Sequence, residues 1–176
     1  MSQGDVRHLY RMKQDGTGNE QISPAAVSAL ISASPDGDWA VATLPQAANI
    51  DGLQAAFFST RGGKTYTACT DGCAFGFGPS RIRSQIFSWT LDGKSMFVSL
   101  YPFGSRTNRT VVLPYRSGVP LDTLWPKGLG TEQDISLNPG AKIINEADAF
   151  PALGNSSYLF WRRTTLSNLY RIPIPN

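Results

Sequence analysis

The sequence predicts an all-β fold of repeated antiparallel meanders, and three observations predict it. Of 176 residues 41% are apolar and only 16% charged, with 17 glycines and 12 prolines, a turn-rich composition rather than a helical one. Short apolar runs of strand length alternate with Asp-Gly and Gly-Gly turns. One hairpin also occurs twice. Ile31 to Ala42 and Phe87 to Val98 align without a gap, Ser34 with Thr90, Asp36 with Asp92 and Gly37 with Gly93, at a constant offset of 56 residues. Recurrence at a fixed offset is the mark of a repeat architecture.

The turn residues Ser34, Pro35, Asp36 and Gly37 each have a physical role. Pro35 presets φ for a turn position, Asp36 can accept from backbone ahead of it, and Gly37 takes positive φ without a Cβ clash. Asp92 and Gly93 repeat that chemistry, so all six positions are assigned as structural turns.

The remaining elements follow in chain order. Val6 to Lys13 reads as a strand, and the turn cluster Asp15 to Asn19 returns it through Glu20 to Ser23. Ser28 to Ser34 and Asp38 to Pro45 form the first copy of the hairpin. Their apolar residues fall on successive positions, which suits strands covered on both faces. Leu53 to Thr60 and Lys64 to Thr70 flank Arg61-Gly62-Gly63, a hairpin turn. The cycle restarts with Arg83 to Trp89, Lys94 to Tyr101 and Arg109 to Tyr115, and a weak fourth strand is expected near Val119 to Leu124. One helical turn is expected at Thr131 to Ile135 within an irregular stretch from Trp125 to Pro139. Ala141 to Glu146, Ser157 to Thr165 and Asn168 to Ile174 supply three further strands.

Four-stranded meanders with Ser-Pro-Asp-Gly at the first turn are the pattern of β-propeller blades. Ser34 to Trp39, and Leu9-Tyr10-Arg11-Met12 followed by Asp15-Gly16-Thr17, resemble the WD40-like (PD40) repeats of the TolB-type propeller family. The second copy departs at Thr90-Leu91, while Trp89 stands where those repeats carry a tryptophan ahead of the turn. The closing tract Asn168 to Pro175 and the short cysteine pair ahead of a blade are similar to the C-terminal propellers of large bacterial proteins, some of which carry a serine/threonine kinase domain. The resemblance implies a partial β-propeller in one segment, 1–176: a half blade at 6–23, whole blades at 28–70 and 83–124, and an incomplete blade at 141–174. Propellers close with roughly four to eight blades, so the expectation is an open arc, completed by blades upstream in a longer chain or by another copy. It implies a sensory or interaction role with a protein or peptide partner.

Other function classes find little support. The net charge of +3 is spread over Arg81, Arg83, Arg106, Arg109, Arg162 and Arg163, whereas nucleic-acid binders concentrate it on one face. No apolar run of about 18 residues marks a membrane span, and Met1 to Asp5 has no export signal. Cys69 and Cys73 bracket the Asp71-Gly72 turn, a spacing that allows a disulfide across a small loop; the pair reads as structural, reduced or bonded. It is half of a metal set, and His8 is the one histidine, so no metal, cofactor or catalytic triad is assigned. Glu146 and Asp148 are carboxylates near the end of a predicted inner strand, the feature glycoside chemistry would use; the alternative reading is a fragment of a propeller enzyme, a glycosidase or the gating domain of a peptidase. The tryptophans Trp39, Trp89, Trp125 and Trp161, with Phe57, Phe58, Phe87, Phe97 and Phe160, are expected in the core between blades. Specificity is expected in the loops Gln46 to Leu53, Gly76 to Arg83, Phe103 to Asn108 and Leu124 to Asn138.

Overall fold

The computed structural model describes residues 6–45, 55–68, 87–100, 109–130, 132–146, 149–153 and 157–160. Strands β1 (Tyr10–Arg11) and β2 (Glu20–Gln21) form an antiparallel pair. β3 (Ala29–Ala33), β4 (Trp39–Thr43), β5 (Ala55–Ser59) and β6 (Thr65–Thr67) form a four-stranded antiparallel meander in that order. A second four-stranded sheet holds β7 (Phe87–Trp89), β8 (Ser95–Leu100), β9 (Arg109–Pro114) and, after two short helices, β10 (Lys142–Ile144). The helices are α1 (Leu121–Leu124) and α2 (Glu132–Ser136), and β11 (Phe150–Pro151) pairs with β12 (Tyr158–Leu159). The strand expected at 168–174, and residues 161–165 of the one before it, lie outside the described residues. Among the described residues the fold is mostly β, in several antiparallel sheets, none of which closes on itself.

The fourth strand of the second sheet is not where the sequence predicts it. Pro120, at φ −57, stands at the N-cap of α1, and the Leu124 and Trp125 amides donate to the Pro120 and Leu121 carbonyls. Leu121 and Trp125, four apart, share one helix face and are both buried. Residues four apart would share a face in a strand too; what sets this segment apart is Pro120, which has no N–H for a sheet ladder and whose φ suits the start of a helix. The expected strand at Val119 to Leu124 is thus a helix, and Lys142–Ile144, expected to open the next unit, completes the sheet by pairing with β9. The helical turn expected at 131–135 lies within one residue of α2.

Side-chain direction shows how the sheets stack. In the first sheet Ala40, Ala42, Ala56 and Phe58 pack with Leu9 and Val27, on the side of the β1–β2 hairpin. On the other face Val41 and Phe57 join Phe87, Met96, Val98, Val111 and Leu113 of the second sheet. The first sheet is thus covered on both faces. On the far face of the second sheet the buried Thr110 hydroxyl donates to the Glu146 carbonyl at 3.0 Å and accepts from the Ala149 amide at 3.1 Å, which ties down the chain entering β11. The layers follow sequence order, and β3 and β11 both lie against β7.

A β-bulge between Leu30 and Ser32 interrupts the 56-residue correspondence. Leu30 pairs with Ala42, and Phe87 pairs with Val98, so Leu30 is the positional counterpart of Phe87 although the gapless alignment sets it against Ile86. Phe87 is fully buried between sheets, whereas Leu30, facing the two-stranded first layer, is 60% exposed.

Of the expected aromatic core, Phe57, Phe58, Phe87, Phe97 and Trp125 are buried and Trp39 and Trp89 partly so. Phe160 is 43% exposed, at the edge of the last pair. Trp161 lies outside the described residues.

Candidate functional site

The two repeated turns are built alike. Gly37 and Gly93 donate their amides to the Ser34 and Thr90 carbonyls, both with left-handed φ, at 74° and 65°. The Ser34 hydroxyl accepts from the Trp39 amide at 2.9 Å, as the Thr90 hydroxyl accepts from the Ser95 amide at 3.0 Å. Asp36 Oδ1 accepts from the Asp38 amide and Asp92 Oδ1 from the Lys94 amide. They differ in where the hydroxyl proton goes, from Ser34 to Asp36 Oδ1 but from Thr90 to the Ser95 carbonyl, and in a contact between sheets. Asp36 Oδ2 accepts a hydrogen bond from Tyr115, just past β9 in the second sheet, at 2.7 Å. Burial would raise the Asp36 pKa, but the Ser34 hydroxyl, the Asp38 amide, Tyr115 and Ser117 outweigh it and hold the carboxyl at about 2. Burial, then the Asp36 carboxylate, pushes the Tyr115 phenol well above its ordinary value. The first turn is therefore a clasp between sheets as well as a local reversal.

Beside this clasp a groove of about 780 Å³ opens between the turn end of the first sheet and residues 118–122, which follow β9 and lead into α1. That volume is within the range of ligand pockets, roughly 300–1,000 Å³. The register places its sheet-side wall. Trp39 pairs with Ser59, and the Ser59 amide donates to the Lys64 carbonyl, so Trp39, Ser59 and Lys64 form one cross-strand row on one face. Behind that row are Val41, Phe57 and Tyr66, all on the face that meets the second sheet. The opposite wall is Gly118 to Asp122, held by the turn of α1.

The floor is fixed by an aromatic network. Phe57 is centred among Tyr66, Phe87, Trp89 and Trp125, with ring centroids 5.4–6.5 Å apart and edge-on geometry. Tyr66 Oη donates to the Trp125 carbonyl at 3.2 Å, and Trp125 Nε1 donates to the Pro114 carbonyl at 3.0 Å, so Trp125 bonds both sheets at once. Burial, together with the nearby Asp122 carboxylate, pushes the Tyr66 phenol above its ordinary value. The buried Asn138 side chain ties the stretch behind α1 together, accepting from the Lys127 amide and donating to the Gly128 and Asp134 carbonyls.

The groove's polar groups are unequally committed. Arg61 directs Nε and Nη2 at Asp38 Oδ1, at 2.8 and 2.7 Å, which neutralises Asp38. Among the described residues Lys64 and Asp122 have no ion-pair partner, and neither the Ser59 hydroxyl nor the Trp39 indole N–H has a hydrogen-bond partner. The groove thus offers donors on the sheet side, one free carboxylate opposite and a partly aromatic floor. That chemistry suits binding; no nucleophile and base are seen paired among the described residues that line it.

The sequence-assigned residues distribute as follows. Ser34, Pro35, Asp36 and Gly37 precede Asp38 and do not line the groove, and Gly93 lies against Pro35, where an added Cβ would stand 3.6 Å from Pro35 Cβ. His8 Nδ1 donates to the Ala25 carbonyl at 3.3 Å, away from the groove. The Glu146 carbonyl accepts from Thr110, and Asp148 lies outside the described residues. So do Cys69 and Cys73, and the loops expected at 46–53, 76–83 and 103–108. Among the described residues no group of three metal-ligating side chains is found, and no helix is long and apolar enough to cross a membrane. Sequence reasoning missed the groove, whose walls come from turns at 38, 61–64 and 118–122; Arg61-Gly62-Gly63, read only as a turn, was its one local signal. No family model, curated protein or solved structure matches this chain.

Proposed function

We propose that this chain is a non-catalytic interaction scaffold, an open arc of a β-propeller related to the TolB-type WD40-like repeats, which holds a protein or peptide partner in the groove between its two four-stranded sheets. The observation that carries the reading is the order of the stack. Each meander lies face to face on the next, the opening strands β3 and β11 flank β7, and the Asp36 turn bonds across to Tyr115. Radial repetition would produce that relationship. Val6, Tyr10 and Met12 expose apolar surface on the first layer, which supports a further sheet docking there within a larger protein.

The alternative, a fragment of a propeller enzyme such as a glycosidase, draws on two carboxylates in one groove, Asp38 and Asp122. Arg61 engages Asp38, leaving one free carboxylate where glycoside chemistry uses two. A photo-crosslinking residue at Val119, in the groove, and another at Leu137, exposed elsewhere, test the binding reading in the source cell. Capture of one partner from 119 alone, lost in Lys64→Met, is expected; equal capture from both positions counts against it.

A further inference from the structure

We infer that the groove recognises a carboxylate carried by an extended peptide, bound by the cross-strand row Trp39, Ser59 and Lys64; this rests on the reading that the groove is a binding site. The row is set by backbone register: neighbours across a pair have Cβ atoms about 4.5–5.5 Å apart, so the three side chains rise from one face side by side. All three are donors: an indole N–H, a hydroxyl and an ammonium. None has an acceptor among the described residues. Arg61 adds its remaining Nη1 at the rim, since Nε and Nη2 are spent on Asp38.

The wall's charge decides the ligand's sign. Arg61 and Asp38 cancel, so Lys64 leaves the sheet side with one net positive charge beside two further donors, and an ionised acceptor makes the strongest hydrogen bonds to such a set. Asp122, alone on the opposite wall, repels a second anion there and accepts from a ligand N–H instead. An anion on one flank and N–H groups on the other describes a peptide carrying one carboxylate. A polyanion such as nucleic acid would meet Asp122 with like charge. Trp39 and Tyr66 beneath give the peptide's apolar atoms a surface. The carboxylate comes either from an acidic side chain or from a chain end.

The test is a titration of the full 176-residue chain, ¹⁵N-labelled, following the Trp39 indole N–H signal identified by its loss in Trp39→Phe. Three probes separate the possibilities: acetyl-Thr-Val-Glu-Val-Thr-amide, its Gln counterpart, and that Gln peptide with a free terminal carboxylate. The signal is expected to move with the first or third probe, identifying side chain or terminus as the source, and not with the second. In Lys64→Met the affinity of the responding probe is expected to fall about tenfold, the loss of one charge-assisted bond. If all three probes move the signal alike, the groove binds peptides but the carboxylate inference is wrong. If none moves it, both the inference and the groove reading fail.

Discussion

Tyr115 donates to Asp36 across 2.7 Å, and the bond joins a turn of one sheet to the strand end of the next. Tyr115 is buried, its ring 4.7 Å from that of Trp89, so the donor is held in place by packing. Tyr115→Phe keeps the ring and removes the hydroxyl. It is expected to cost about 1–2 kcal/mol in urea unfolding, the net worth of one hydrogen bond to a partly solvated carboxylate. Removing it also deprives the carboxylate of a donor. An NMR titration of Asp36 should show its pKa rising from about 2 toward the ordinary 3.8.

The same carboxylate sets a pH dependence. Its pKa is 3.8 in an unfolded chain and about 2 in the native one, so between those values the unfolded chain binds more protons. Its contribution is fully present above about pH 4 and is lost as the pH falls through about 2. Because the Asp36 carboxyl is only partly buried and largely open to solvent, screening reduces the effect to about 1 kcal/mol. Asp36→Asn should flatten this part of the stability profile, read from urea midpoints measured between about pH 5 and pH 2.

Phe57 is the hub of the aromatic network and is fully buried. Phe57→Ala is expected to destabilise by about 3–5 kcal/mol, enough to unfold a marginal domain. Trp125→Phe is the finer probe, since it keeps an aromatic ring and deletes the bond to Pro114; a loss of about 1–2 kcal/mol is expected by thermal unfolding.

Ser88 lies on the far face of β7, 8% exposed, and its Oγ has no hydrogen-bond partner among the described residues. A buried hydroxyl left unbonded costs about 1–3 kcal/mol relative to a bonded one. Ser88→Ala should therefore leave stability unchanged or raise it by up to about 1 kcal/mol. Destabilisation in the same urea assay would mean that the hydroxyl is bonded.

The hairpins were legible in the sequence because their chemistry is local: an Asp that caps its own turn and a Gly at positive φ specify the reversal from a few residues. Strands covered on both faces were legible in the first sheet for a similar reason, through successive apolar positions. Val119 to Leu124 misled because a short apolar run fits strand or helix equally, while Pro120, without an amide for a sheet ladder, stands where the helix begins. The Leu30 bulge left no sequence mark, so a gapless alignment concealed a one-residue shift. The Asp36–Tyr115 bond joins residues 79 positions apart, and the groove gathers three separate turns. Such contacts depend on how layers stack, which no local pattern encodes.

That stacking is the central claim, and proton–proton NOEs test it most directly. Cross-peaks between the rings of Phe57 and Phe87, whose centroids are 5.4 Å apart in neighbouring sheets, are expected together with cross-peaks from Tyr115 to Trp89. Retention of the Tyr115–Trp89 peaks without any between Phe57 and Phe87 would mean that the second sheet forms but does not lie on the first, contradicting the account.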